Sequence, residues 1–110
     1  MFVECRLDGF YSKVSGGFLI RNDQTFDHGV ILKINPVNQP GRTWICCAGL
    51  GEWGTSGAAW YLSRRWRDLH SRLGAKPFAM IVRIRPGQDE SAEPVVFGST
   101  PQEIEAFVRS

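Results

Sequence analysis

The chain has 110 residues, of which 43% are hydrophobic, and this is enough for one hydrophobic core but too little for two ordinary domains. We therefore expect a single domain over residues 1–110. A formal net charge of +2 is too small to indicate a nucleic-acid partner through bulk electrostatics. The apolar runs are short and no basic-then-apolar leader is present, so we expect a cytoplasmic protein without a membrane partner.

The spacing of cysteine and histidine predicts neither a disulfide framework nor a metal site. The three cysteines are an odd number, and Cys46 and Cys47 are adjacent, so in a strand their side chains point to opposite faces. The two histidines, His28 and His70, stand far apart in the sequence. Zinc ligands occur at closer, paired spacings. We therefore expect no metal, and the sequence identifies no cofactor.

The first half of the chain predicts short strands joined by turns. Residues 2–6 alternate apolar and polar side chains, residues 8–17 have turn composition, and residues 18–21 read as a second strand of an opening hairpin. Residues 28–34 predict a longer strand that ends at a loop containing prolines and a glycine. Residues 43–49 form a continuous apolar run, which is typical of a central strand covered on both faces.

Helical spacing is clearest from Ser56 onward. Apolar residues recur every three or four positions and arginines fill the opposite face, so the sequence predicts an amphipathic helix that ends at Gly74. The apolar positions are Ala58, Ala59, Leu62, Trp66, Leu69 and Leu73. Residues 77–85 then predict a strand, and residues 94–97 predict an edge strand.

A capping box predicts a short helix near the end of the chain. The Thr100 hydroxyl can accept a hydrogen bond from the Glu103 amide, and Pro101 stands at the first helical position.

The long helix stands between two predicted strands, which is the pattern of a crossover between parallel strands. The predicted fold class is α/β: one small domain with a mixed sheet of about five to six strands, one long crossover helix and a short C-terminal helix.

A glycine-rich bend lies between the apolar strand and the long helix. Gly49, Gly51 and Gly54 satisfy the pattern G-x-G-x-x-G in the strand-to-helix context that the motif requires. Glycine permits close backbone approach, and amides at a helix start can bind an anion. Thr55 and Ser56 add hydroxyl groups that could cap the helix or bind a ligand oxygen. The bend is therefore a candidate phosphate site, with a purely structural turn as the alternative.

Three neighbouring residues complete the predicted site. Trp53 stands in the bend, where its ring could stack on a base. Asn35 follows the preceding strand, in a turn that we expect to lie near the bend. Glu52 would repel a pyrophosphate unless its carboxylate pointed away or held a metal. The strand after the helix ends in Arg83 and Arg85, where a dinucleotide site would have an acidic residue.

Several other residues have two interpretations each. Asp27, His28, Asn35 and Asn38 bracket one strand and could converge on a ligand. Alternatively, Asp27 and Asn35 close turns and His28 is a surface residue. Cys47 is either a nucleophile, if a cation or a helix start lowers its pKa, or an inert buried cysteine. The basic run at residues 64–72 is typical of nucleic-acid surfaces and equally of a solvated helix face, and we expect no nucleic-acid partner.

Residues 27–62 resemble a stretch found in uncharacterised bacterial and archaeal multidomain proteins. The resemblance is carried by an Asp-x-Gly strand, an Asn-Pro-x-Asn turn, a second strand, and a Gly-Thr bend that opens an Ala-Ala helix. The family has no established activity. A histidine often stands in its bend where this chain has Gly51 or Glu52, so the resemblance implies no catalytic residue in this chain.

Three functions are consistent with the sequence. The first, which we predict, is non-catalytic binding of a nucleotide or another phosphate-bearing small molecule by residues 49–56. The alternative is a protein–protein interaction or homodimerisation module, in which the bend is structural and exposed Trp53 and Trp60 form contacts. The third is an enzyme with Glu52 as general base or Cys47 as nucleophile.

Overall fold

The chain begins with short strands and continues with longer strands and one long helix. A computed structural model describes residues 3–6, 9–12, 18–21, 25–35, 38, 41–74, 76–100 and 102–103. Within these residues the elements are, in chain order, β1 (Val3–Arg6), β2 (Gly9–Ser12), β3 (Phe18–Arg21), β4 (Asp27–Ile34), β5 (Trp44–Gly49), α1 (Glu52–Leu73), β6 (Phe78–Arg85) and β7 (Gln88–Gly98).

The described strands form two sheets, and every pairing between neighbours among them is antiparallel. One sheet has three strands in the order β1-β2-β3, and the other has four in the order β5-β4-β6-β7. The prediction of a single mixed sheet is therefore wrong. Strand β4 pairs with β5 on one side and with β6 on the other, so it lies between them. The helix does connect two strands of the same direction, but they are not neighbours.

Residues 9–12 were expected to be part of a turn, and they form β2 instead. This strand pairs with β1 on one side and with β3 on the other, which makes a meander where the sequence indicated a hairpin. Phe10 explains the difference, because its side chain is completely buried in the core between the sheets. Burial of an aromatic side chain outweighs the turn preference of its glycine and serine neighbours.

The two central strands of the four-stranded sheet, β4 and β6, are covered on both faces. On one face, Phe10 and Leu19 of the small sheet pack with Val30 and Ile81. On the other face, α1 buries Ala58 and Leu69 against alternate residues of β4 and β6. This two-sided cover explains why β6 is a nearly continuous apolar run. The prediction that 43–49 is the central strand is wrong, since β5 is at the edge of the sheet.

Helix α1 confirms the predicted long amphipathic helix but begins four residues earlier, at Glu52 rather than Ser56. Its arginines are exposed as predicted, whereas Ala59 is exposed rather than part of the apolar stripe. Gly74 ends the helix with φ +57°, and its amide donates to the His70 carbonyl at 2.8 Å. The buried Lys33 ammonium also donates to the Gly74 carbonyl oxygen, where the helix dipole favours a cation.

One half of the predicted capping box near the C-terminus is present, and the return bond comes from the Ser99 amide rather than from that of Thr100. The Glu103 amide donates to Thr100 Oγ1 at 3.1 Å, and the Ser99 amide donates to Glu103 Oε2 at 3.1 Å. The rest of the predicted C-terminal helix lies outside the described residues. Among the described helical residues, no helix is both long and apolar enough to cross a membrane.

Truncation of Phe10 tests the packing of the small sheet on the large one. We expect Phe10→Ala to lower the free energy of unfolding by about 4 kcal/mol, because it leaves a cavity between the sheets. Urea denaturation followed by tryptophan fluorescence measures this loss. Phe10→Leu, which retains most of the apolar volume, should cost clearly less. Equal stability of all three proteins would contradict the packing of Phe10 between the sheets.

Candidate functional site

The glycine bend brings the start of α1 into direct contact with β4. A Cβ atom on Gly54 would collide with the His28 carbonyl oxygen, and one on Gly29 would collide with the Gly54 carbonyl oxygen. The Leu50 amide donates to the His28 carbonyl at 3.1 Å, which continues the pairing of β5 with β4 into the bend. Glycine is therefore required at positions 29 and 54, because the backbones of β4 and α1 approach each other closely there.

The carboxylate of Asp27 occupies the position of an anion at the helix start. Asp27 is 7% exposed, and its Oδ2 accepts a hydrogen bond from the Gly54 amide at 2.7 Å. Its Oδ1 accepts from the His28 amide at 2.9 Å. The helix begins after Gly51, which has no side chain to cap it, so Asp27 supplies both the acceptor and the favourable negative charge.

The remaining residues of the predicted site lie around the outside of this contact. Glu52 is exposed, and Trp53 is 40% exposed. The Thr55 hydroxyl donates to the Gly51 carbonyl at 3.4 Å, and the Ser56 hydroxyl donates to Asp89 Oδ2 at 2.6 Å. Both hydroxyls thus have partners within the chain, and the Gly54 amide, which the motif would offer to a phosphate, is bonded to Asp27.

Gly49 and Gly51 are held in the same tight arrangement. A Cβ on Gly49 would strike the Thr55 amide nitrogen, and one on Gly51 would lie 2.7 Å from Asp27 Oδ2. The structure therefore brings residues 49–56 together with Asp27. Substituting these glycines would disturb the fold itself, so loss of ligand binding in such variants would not identify a phosphate site.

Asn35 does not join the predicted site. Asn35 follows the last residue of β4, whereas the bend lies beside Asp27, the first residue of that strand. Because a strand rises about 3.3 Å per residue, about 25 Å separate Asn35 from the bend. The Thr43 hydroxyl donates to Asn35 Oδ1 at 3.3 Å, across the loop between β4 and β5. Asn35 is a turn residue here, because β4 runs away from the bend rather than towards it.

The structure bears on the interpretations of two residues near the bend, His28 and Cys47. His28, expected at the surface, is only 2% exposed. Burial raises the pKa of the Cys47 thiol, and the neighbouring Cys46 raises it further. A raised pKa keeps the thiol protonated at neutral pH, which does not favour Cys47 as a nucleophile.

The basic end of β6 is engaged by neighbouring side chains. Arg83 forms an ion pair with Glu93, and its guanidinium lies 4.5 Å from the centre of the Phe26 ring. Arg85 lies 5.9 Å from the same ring. These contacts give both arginines structural partners on the surface of the domain.

The outer edge of β5 is a feature that the sequence did not predict. Trp44 is 47% exposed, Ile45 is 38% exposed, and Cys46 is exposed between this pair and the bend. Among the described strands, none pairs with β5 on the side away from β4. Residues 44–49 contain no charged residue and no proline, the residues that normally protect an edge, but such a run is equally typical of a buried central strand, so the sequence alone did not identify the edge.

The opposite edge of the same sheet is protected. Strand β7 contains Asp89, Glu90 and Glu93, followed by Pro94, which has no amide hydrogen to donate. Charges and proline on an edge strand oppose the addition of another strand. The two edges of the four-stranded sheet are therefore unlike, and only β5 combines apolar side chains with an unprotected backbone.

Within the described ranges, no group of three or more His, Cys, Asp and Glu residues is arranged to hold a metal ion.

No protein-family model matches the chain, and neither a curated protein nor a solved structure matches it. The resemblance of residues 27–62 to multidomain proteins stays a prediction.

Replacement of Asp27 tests its role at the helix start. Asp27→Ala leaves two buried amides without an acceptor and should lower the free energy of unfolding by about 3 kcal/mol. Asp27→Asn retains only one acceptor oxygen and should cost about 2 kcal/mol. The matched control is Asp68→Asn, whose exposed ion pair with Arg72 should contribute less than about 0.5 kcal/mol. Urea denaturation that gives similar losses at Asp27 and Asp68 would contradict this role.

Titration with phosphate, ATP and NAD tests the predicted anion site. Because the Asp27 carboxylate holds the Gly54 amide, we expect no saturable chemical-shift change of that amide in labelled protein. The indole signal of Trp53 reports independently on base stacking. Saturable shifts concentrated in residues 49–57 would instead support the phosphate site that the glycine pattern predicts.

Proposed function

We propose that this domain is a self-association module that forms a homodimer through the outer edge of β5. The observation that carries the proposal is the contrast between the two edges of the four-stranded sheet. One edge, β5, is apolar and uncharged, and the other, β7, carries acidic residues and a proline. Strands without protective residues are templates for pairing with another chain.

The direction of the backbone groups of β5 supports strand addition. The Leu50 amide donates to His28, so the even-numbered residues of β5 exchange hydrogen bonds with β4. In an antiparallel ladder the alternate residues point their N–H and C=O groups the other way. The backbone groups of Ile45 and Cys47 therefore face the outer edge, where a second strand would satisfy them.

The exposed side chains add the apolar surface that association requires. Trp44 and Ile45 lie next to each other on β5 and point to opposite faces of the sheet. A strand added at this edge would cover part of both side chains. Burial of an aromatic residue such as Trp44 is a common source of binding free energy at interfaces.

The glycine bend has a supporting role in this proposal. The contact of Gly54 with β4, and the hydrogen bond from its amide to Asp27, fix the end of β5 relative to the helix. A strand whose position is fixed loses less conformational entropy when another strand binds to it. The exposed Trp53 lies in the first turn of the same helix.

Sedimentation velocity over a range of protein concentrations tests the proposal. We expect a monomer–dimer equilibrium for the wild-type chain, and at least about a tenfold higher dimer Kd for Ile45→Lys, because lysine on an edge opposes strand addition. Gln88→Lys places the same charge on the exposed start of β7 and is the matched control. Its Kd should stay within about twofold of wild type. A wild-type chain that remains monomeric at high concentration would refute the proposal.

A further inference from the structure

We infer that the strand added to β5 is β5 of a second copy, in the antiparallel register that places Cys46 opposite Cys46, with Arg42 of each copy beside Glu52 of the other. This inference rests on the proposed self-association. It specifies the register and the residues that select the partner strand.

The direction of the backbone groups limits the possible registers. Because Ile45 and Cys47 face the outer edge, a two-fold symmetric pair must oppose odd-numbered residues to odd-numbered residues. Two such registers use most of the strand. One is centred on Cys46, and the other is centred on Cys47 and pairs Trp44 with a residue of the bend. Only the register centred on Cys46 covers the exposed Trp44 side chain with a residue of the partner strand.

Side-chain sizes favour the same register. With Cys46 at the centre, Trp44 lies opposite Ala48 of the second copy, and Ile45 lies opposite Cys47. Each large side chain therefore meets a small one, and the symmetry repeats both pairs. Facing pairs of large and small residues pack on a sheet surface without displacing the backbone.

Charges at the two ends of β5 are complementary in this arrangement. Arg42 precedes the strand and Glu52 follows it, and both are exposed. Antiparallel pairing brings the beginning of one strand to the end of the other, so Arg42 of each copy stands near the partner's bend, where Glu52 begins α1. The strand between them is uncharged. A parallel arrangement would place like charges together and is disfavoured.

A charge exchange tests the pairing of Arg42 with Glu52. We expect Arg42→Glu and Glu52→Arg each to raise the dimer Kd about tenfold, because two symmetric pairs become repulsive. The double variant should return to within about twofold of wild type. Circular dichroism checks that each variant is folded. A double variant that associates no better than the single variants would overturn the pairing.

Disulfide cross-linking tests the register. Residues opposite each other in a non-hydrogen-bonded pair have Cα atoms about 4.5 Å apart, which is within the range of a disulfide. With glutathione disulfide as the oxidant, the Cys46 thiolate of one copy displaces one glutathione, and the Cys46 thiolate of the other copy displaces the second. One protein disulfide and two reduced glutathione molecules result. Mass spectrometry should find the Cys46–Cys46 linkage, and Cys46→Ser should prevent the covalent dimer.

The outcomes separate this inference from the proposed function. A chain that dimerises in sedimentation but gives no Cys46–Cys46 linkage would overturn the register and leave self-association through β5 in place. A chain that does not dimerise would overturn both. Dimerisation with the linkage and with rescue in the double charge variant would establish the register.

Discussion

The bond between the Asp27 carboxylate and the Gly54 amide is the contact on which the arrangement of strands and helix depends. It joins the first residue of β4 to the first turn of α1, 27 residues later in the chain. The bond is buried and charge-assisted, and it satisfies an amide that every helix start leaves without a partner. The backbones can approach closely enough to form it only because Gly29 and Gly54 have no side chains.

This contact gives the glycine pattern a structural explanation. Glycine-rich turns before helices are known mainly as phosphate sites, because their amides donate hydrogen bonds to anions. In this chain an internal carboxylate supplies the charge. The same pattern thus packs the helix against the sheet, and it holds the end of β5 at Gly49 in a fixed position.

Local patterns in the sequence predicted the elements better than their arrangement. The helical spacing from Ser56 and the apolar run of β6 identified both elements, because those periods depend only on neighbouring residues. The position of β5 could not be predicted in this way, since a continuous apolar run fits a buried strand and an exposed edge equally well. Strand order and the contact of Asp27 with Gly54 both depend on distant parts of the chain, so the candidate site was only partly predicted.

The unlike edges of the four-stranded sheet determine how large an assembly could grow. If two copies join through β5, both unprotected edges are consumed, and the sheet that results ends in β7 on each side. Those ends carry carboxylates and a proline, which stop further addition. Such a dimer has closed two-fold symmetry. A sheet with unprotected apolar strands at both edges could instead add copies without limit and form fibres.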